Sequence, residues 1–213
     1  MLNLIFKEFS LSAHPTLYFF MLLGAMVLIP AYPYGVIFFF GCLCSYFTFM
    51  YGRETNDIFY STLLPIKKSD VVKGRCLLLV ISELILLLIS LPFAVIRRYI
   101  LPDGNPVGME ANVAFYGFGL IIFTIFNLIL LTEFYKTAYK IGKSFMIAII
   151  PVLIAIVLME VLPHLPATKW VDGSTYDMQI KQLPILFMGI IMFVAGTFIT
   201  YRTAKSNFEK VDL

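Results

Sequence analysis

Glu83 and Asn127 each interrupt a run of apolar residues long enough to lie in hydrocarbon, where an ionisable or amide group is costly and turns toward the protein interior. Counted from the ends of their runs nearest the basic loops, Glu83 is about 10 Å deep and Asn127 about 8 Å, at 1.5 Å per helical residue. At such similar depths they can meet. A carboxyl and an amide that meet there hydrogen-bond directly or through water, with Glu83 protonated or lining a wet cavity. The pair then serves either as interhelical glue worth about 1 kcal/mol or as an ion-coupling group.

Other chemistry fails on spacing. Gly142-Lys143-Ser144 suggests a phosphate-binding loop, but G-x-x-x-x-G-K-[ST] needs glycine at position 137, where Thr137 stands, and a strand before it, where an apolar helical run precedes. The chain is therefore expected to have no nucleotide site of its own and not to be an enzyme. Cys42 and Cys44 are two apart and do not face each other on a helix; with Cys76 they read as small packing residues. His14 and His164 fall on opposite sides of the membrane in the topology below, so they cannot share a metal. No G-x-S-x-G elbow or H-E-x-x-H helix is present.

The elements that must position these residues follow from composition. Sixty per cent of the 213 residues are hydrophobic, 14% are charged, and the mean hydropathy is +0.90, against about a quarter charged in soluble domains. This is the composition of an integral membrane protein, all-α because lipid offers the backbone no partners. At roughly 20 apolar residues per crossing, the sequence offers six transmembrane helices, 17–31, 34–51, 76–96, 114–132, 144–162 and 183–201, in one domain, 1–213. Lys and Arg mark the cytoplasmic side. Lys7, then Arg53, Lys67, Lys68, Lys73 and Arg75, then Lys136, Lys140 and Lys143, then Arg202, Lys205 and Lys210 outweigh Arg97, Arg98, Lys169 and Lys181. Both termini are expected in the cytoplasm of a cell-membrane protein. The net charge of +3 is a topology signal, not a nucleic-acid signal.

The first apolar segment is short, about 20 Å over 17–29, and is expected to tilt, thin the bilayer or be re-entrant. A cleaved leader is disfavoured, since Lys7 is isolated and no A-x-A site follows. Ahead of it, Leu2, Ile5, Phe6 and Phe9 recur at helical spacing while Asn3, Lys7, Glu8 and Ser10 take other faces, predicting an interfacial amphipathic helix over 1–14. Pro15 is expected to bend the chain into the span.

Residues 52–75 form a compact basic loop between two apolar runs. Asn56 is placed to cap a short helix carrying Ile58, Phe59, Leu63 and Leu64; Pro65 ends it, and Ser69 with Asp70 reads as a fresh helix start. Such a helix between two stalks suits a soluble partner, although a plain solvated connection has the same composition. Phe38, Phe39, Phe40, Phe47 and Phe49 crowd the second span, where lipid-facing packing accounts for most. Pro151 is expected to kink the fifth span; Tyr32, Tyr34, Tyr99 and Trp170 are expected as interface anchors.

MLNLIFKEFS at the start, Glu54 after the second span, and TLLPIKKSDVVKGR together resemble the membrane subunits of type-2 ATP-binding-cassette exporters, particularly the small six-span permeases of bacteriocin and phenol-soluble modulin exporters. The motif likeness covers about the first 80 residues and the hydropathy likeness the whole chain. The resemblance implies that the helix around 54–63 is a coupling helix seated in a separate ATPase subunit, with Glu54, Asp57, Ile58, Phe59, Thr62, Leu63, Lys67, Lys68 and Asp70 as contact residues. The loop 133–143, with Glu133, Lys136, Tyr139 and Lys140, is a smaller second contact. It implies two such permeases, in a homodimer by default, with two ATPase subunits. ATP and Mg belong to those partners and no cofactor to this chain. It also implies that the second and fifth spans line the pathway, whose apolar wall suits export of an amphipathic peptide or lipid-like cargo. Two other classes remain open from the sequence: an ion-coupled secondary transporter or channel centred on Glu83, and a non-transporting membrane scaffold.

Overall fold

Apolar runs in a solvent without hydrogen-bond partners satisfy their backbone as helices, and the computed structural model, which describes residues 2–100 and 104–211, follows that rule. Helix α1, Leu2–Lys7, runs into a turn of π-helix, Glu8–Ser12. Helix α2, Thr16–Leu22, continues as 3-10 helix through Leu23–Leu28. Then come α3, Val36–Glu54; α4, Asp57–Leu63; α5, Lys68–Ile100; α6, Val113–Phe134; α7, Ile141–Val161; and α8, Tyr176–Glu209. Five of these are long and apolar enough to cross a membrane, and the bent N-terminal pair brings the number to six if it is one span.

The two arms of that pair, Leu4–Ser12 and Thr16–Leu28, meet at 97°. The break falls at His14 and Pro15, where proline removes an amide donor. There the His14 Nδ1 takes the Thr16 N–H at 3.2 Å in place of a helix carbonyl. The second arm is about 22 Å long, at 1.5 Å per α residue and 2.0 Å per 3-10 residue. It runs from one end of the bundle, where His14 lies edge-on to Tyr51, to the other, where the Gly35 N–H donates to Glu160 Oε1 at 2.5 Å. Gly24 lets this arm lie against α5: a Cβ there would stand 2.6 Å from the Leu86 carbonyl oxygen. We call the end holding α4 and both described chain ends the basal end, and the opposite one the far end.

Helix α6 is the hub. It crosses α8 with backbones in contact, since a Cβ on Gly189 would lie 2.4 Å from the Gly117 carbonyl oxygen. Small residues of this kind drive helix pairing where no hydrophobic effect operates. On its other face Phe115 lies tilted against Phe38 at 4.6 Å and Phe123 meets it edge-on at 5.7 Å, and Phe134 meets Phe49 at 4.8 Å. Phe38 and Phe49 are therefore core residues and not lipid-facing ones, because α3 packs against α2, α6 and α7. The three cysteines are free and buried. Helix α7 runs through Pro151 without interruption.

Polar side chains lace the far end shut. Arg97, buried, pairs with Glu110 through Nη2 at 2.8 Å and Nε at 3.3 Å, its guanidinium 5.1 Å over the Tyr34 ring. Tyr34 is thus fully enclosed, a correction to its reading as an interface anchor, whereas Tyr99 stays exposed. Glu160 accepts N–H groups from Gly35 and Met109, Asp172 accepts from the Glu110 N–H at 2.7 Å, and Asn112 caps α6 by accepting from Phe115 N–H at 3.0 Å. Gln182 donates to the Trp170 and Gly173 carbonyls. These bonds take up backbone groups that would otherwise be buried without partners.

Candidate functional site

The basal end is organised around a group of charges whose inner members are shut off from solvent. Helix α3 stops at Glu54, and Asn56 turns the chain in the left-handed region, φ 53°, which asparagine tolerates better than most residues. Its side chain makes no cap hydrogen bond, so its expected capping role gives way to this turn. Helix α4 has only seven residues, too few to be stable alone. Its inner face holds it: Ile58 and Ser61 are buried, Lys7 Nζ donates to Ser61 Oγ at 2.8 Å, and Ser12 Oγ donates to Asp57 Oδ1 at 3.2 Å.

Asp57 is the centre of the group. Its Oδ1 lies 2.9 Å from Lys7 Nζ, and Oδ2 accepts from Arg75 Nη2. Arg75 Nε faces Glu8 Oε2 at 3.2 Å, and Lys7 Nζ reaches Glu8 Oε1 at 3.1 Å. Arg75 is 1% exposed and Glu8 0%, and the guanidinium lies 5.4 Å from the Phe49 ring centre. Two cations and two carboxylates balance, which such burial requires. Burial pushes the Asp57 carboxyl up, but Arg75 and Lys7 outweigh it and hold it below the usual carboxylate range. The group ties α1 and the π-turn, α3, α4 and α5 into one unit. Losing one partner of such a pair costs about 3–5 kcal/mol.

The sequence reading missed this group. It put Glu8 on a polar face of the N-terminal helix and counted Arg75 among basic loop residues. Arg75 directly abuts the apolar run that begins at Cys76, which signals a need for a counter-charge. Nothing in linear spacing points to Glu8 as that partner. The N-terminal helix accordingly turns Glu8 and Ser12 inward and presents Phe6 and Leu11 outward.

The outer face of α4 is apolar. Phe59 is 47% exposed and Leu63 66%, with Tyr60 and Leu64 beside them and Glu54 and Lys67 exposed at the flanks. A notch of about 110 Å³, lined by Arg53, Asn56, Phe59, Ala138 and Tyr139 among others, joins this face to the loop between α6 and α7. Ala138 sits at φ 64°, a left-handed backbone costing a non-glycine residue about 1–2 kcal/mol. Lys136, Tyr139 and Lys140 are exposed, and Glu133 pairs with Lys136. The remaining sequence-selected residues point elsewhere. Asp57 and Ile58 face inward, and the half-buried Thr62 donates to the Phe59 carbonyl at 2.7 Å. Lys68 Nζ donates to the Val211 carbonyl at 2.6 Å, tying down the segment after α8, and Asp70 stands half-buried in the first turn of α5. That helix starts at Lys68, one residue before the expected Ser69 cap.

Deeper in the bundle, Asn127 Nδ2 donates to Glu83 Oε2 at 2.8 Å. Both side chains are buried, and Glu83 Oε1 and Asn127 Oδ1 have no partner among the described residues. The pair lies between α5 and α6, some 8–10 Å further in than the start of the apolar runs, at 1.5 Å per residue. It is set apart from the basal charges and shares no residue with them.

Residues 3–205 match the family model described as ABC-2 family transporter protein. No curated protein and no solved structure matches the chain.

Proposed function

Because the chain belongs to the ABC-2 transporter family, a family of membrane permeases that generally work with an ATPase subunit, we propose that it is the permease subunit of an exporter driven from its basal end. Both termini, α4 and the loop after α6 lie in the cytoplasm in this reading. A separate ATPase seats on the outer face of α4 and the adjoining notch, in two copies, against two identical permease chains. Hydrolysis occurs in the partner, since this chain carries no phosphate-binding loop. An amphipathic peptide or lipid-like molecule is moved outward.

The observation that carries the reading is the two-sidedness of α4. Its outward face offers Phe59, Tyr60 and Leu63 to a partner, while its inward face is fixed through Asp57 to Arg75 and Lys7. A displacement of α4 is therefore passed to α5 and to the N-terminal arm together, not absorbed in a loose loop.

Co-purification of the tagged permease with the candidate ATPase, with ATPase activity as a second readout, tests this. Wild type is expected to retain the complex and stimulate hydrolysis, and Phe59→Asp to lose both while melting like wild type. Intact association with Phe59→Asp would move the interface elsewhere. No association of the wild type with any ATPase would leave Glu83 and ion coupling as the better account.

A further inference from the structure

We propose that a cleft between α5, α6 and α8 at the far end binds one anionic phospholipid from the surrounding leaflet. The packing creates it: α6 and α8 touch backbone to backbone at Gly117 and Gly189, while α5, held to α6 through Glu83–Asn127 and Ser90–Tyr116, leaves a gap beside them. The space left is about 480 Å³, within the roughly 300–1,000 Å³ of small-ligand sites. Leu84, Leu88, Leu91 and Leu120 make its wall. A second cleft of about 350 Å³ shares Leu84 and Leu120 and continues toward Val80 and Thr197.

Depth and charge select the occupant. From Arg98 to Leu84 the cleft follows α5 for about 21 Å. This is one leaflet of a bilayer with an about 30 Å core, together with its headgroup level. The chemistry changes along that path: the deep part is hydrocarbon, whereas Arg98, Gln179 and Tyr116 line the mouth. Arg97 and Arg98 are neighbours with opposite surroundings. Arg97 is enclosed and neutralised by Glu110, and Arg98 is exposed without an ion pair among the described residues. A guanidinium at headgroup level, above an apolar slot, suits a bidentate phosphate with an acyl chain beneath it. A zwitterionic lipid fills the same slot but places a second cation beside Arg98.

The test is native mass spectrometry of the full, delipidated chain offered phosphatidylglycerol or phosphatidylcholine with identical acyl chains. Wild type is expected to retain phosphatidylglycerol with a preference of about tenfold. Arg98→Gln should bring the two lipids to parity, and Leu88→Trp, which fills the slot, should lower retention of both. Arg202→Gln, at the basal end, should leave the preference intact. Equal retention of the two lipids by wild type overturns the proposal. So does a preference that survives Arg98→Gln, or a disulfide formed between two copies of a Leu88→Cys chain in membranes, which would make the cleft a contact between copies.

Discussion

Removing the Arg75 guanidinium separates the effect of uncompensated charge from that of lost contacts. Arg75 faces Glu8 at 3.2 Å and also binds Asp57, at 1% side-chain exposure. Arg75→Leu leaves both carboxylates to share Lys7, which reaches them at 3.1 and 2.9 Å but is itself partly open to solvent. Such a change costs about 3–5 kcal/mol. At about 2–4 °C per kcal/mol for a chain of this size, the melting temperature should fall by about 6–20 °C. Adding Glu8→Leu removes a further charged group yet restores balance, because Lys7 and Asp57 remain paired. Replacing a buried pair by apolar side chains is often neutral. The double variant should therefore recover most of the loss. Thermal unfolding in detergent can be followed with a thiol-reactive dye, since Cys42, Cys44 and Cys76 are all buried and react only on opening. A double variant melting as low as Arg75→Leu, or a single variant within about 2 °C of wild type, would refute the reasoning.

Asp57 gives the group an acid limit. Its folded pKa lies below the ordinary value, so its contribution is complete above about pH 4 and is lost as pH falls through the folded value; melts from pH 6 to 3 should slope less in Asp57→Asn. Asp172 has the opposite sign: burial raises its carboxyl to about 6, so the folded state holds this proton more tightly and stability rises as pH falls from 7 toward 4. Asp172→Asn should lose that rise in the same melts. Glu83→Gln should keep its bond with Asn127 and melt within about 1 kcal/mol of wild type. Glu83→Leu leaves the Asn127 amide without its acceptor and should cost about 1–3 kcal/mol; equal losses in the two variants would show that the carboxyl itself is required. Gly189→Ala places a methyl 2.4 Å from the Gly117 oxygen and should abolish a monodisperse gel-filtration peak, whereas Gly142→Ala, with nothing within 4 Å, should leave it unchanged.

Much of the fold is legible in the sequence because lipid leaves the chain few choices. Apolar length fixed where helices form, Pro15 marked the bend before the first arm, and Pro65 marked the end of the short basal helix. Similar depth below the basic loops was enough to bring Glu83 and Asn127 into consideration together, since helical rise converts residue number directly into position along the bundle. Facing was harder to read. Phe38 and Phe39 are adjacent and chemically identical, yet the first is enclosed by Phe115 and Phe123 and the second lies at the rim, a difference set by which neighbours α6 and α7 bring. Tyr34 was assigned to the interface by its type and was enclosed by Arg97.

The sequence by itself determined the class of this protein, its apolar spans, the short helix in the basic loop and the family-like motif that frames it, because each is a property of residues close along the chain. Only the tertiary structure decided that Glu8 and Asp57 neutralise Lys7 and Arg75, that Lys68 bonds to the Val211 carbonyl, and that α5, α6 and α8 leave a cleft lined by Arg98. Pairing between side chains remote in sequence depends on how helices rotate and approach, and those are set by the sum of many small packing contacts that no local pattern records.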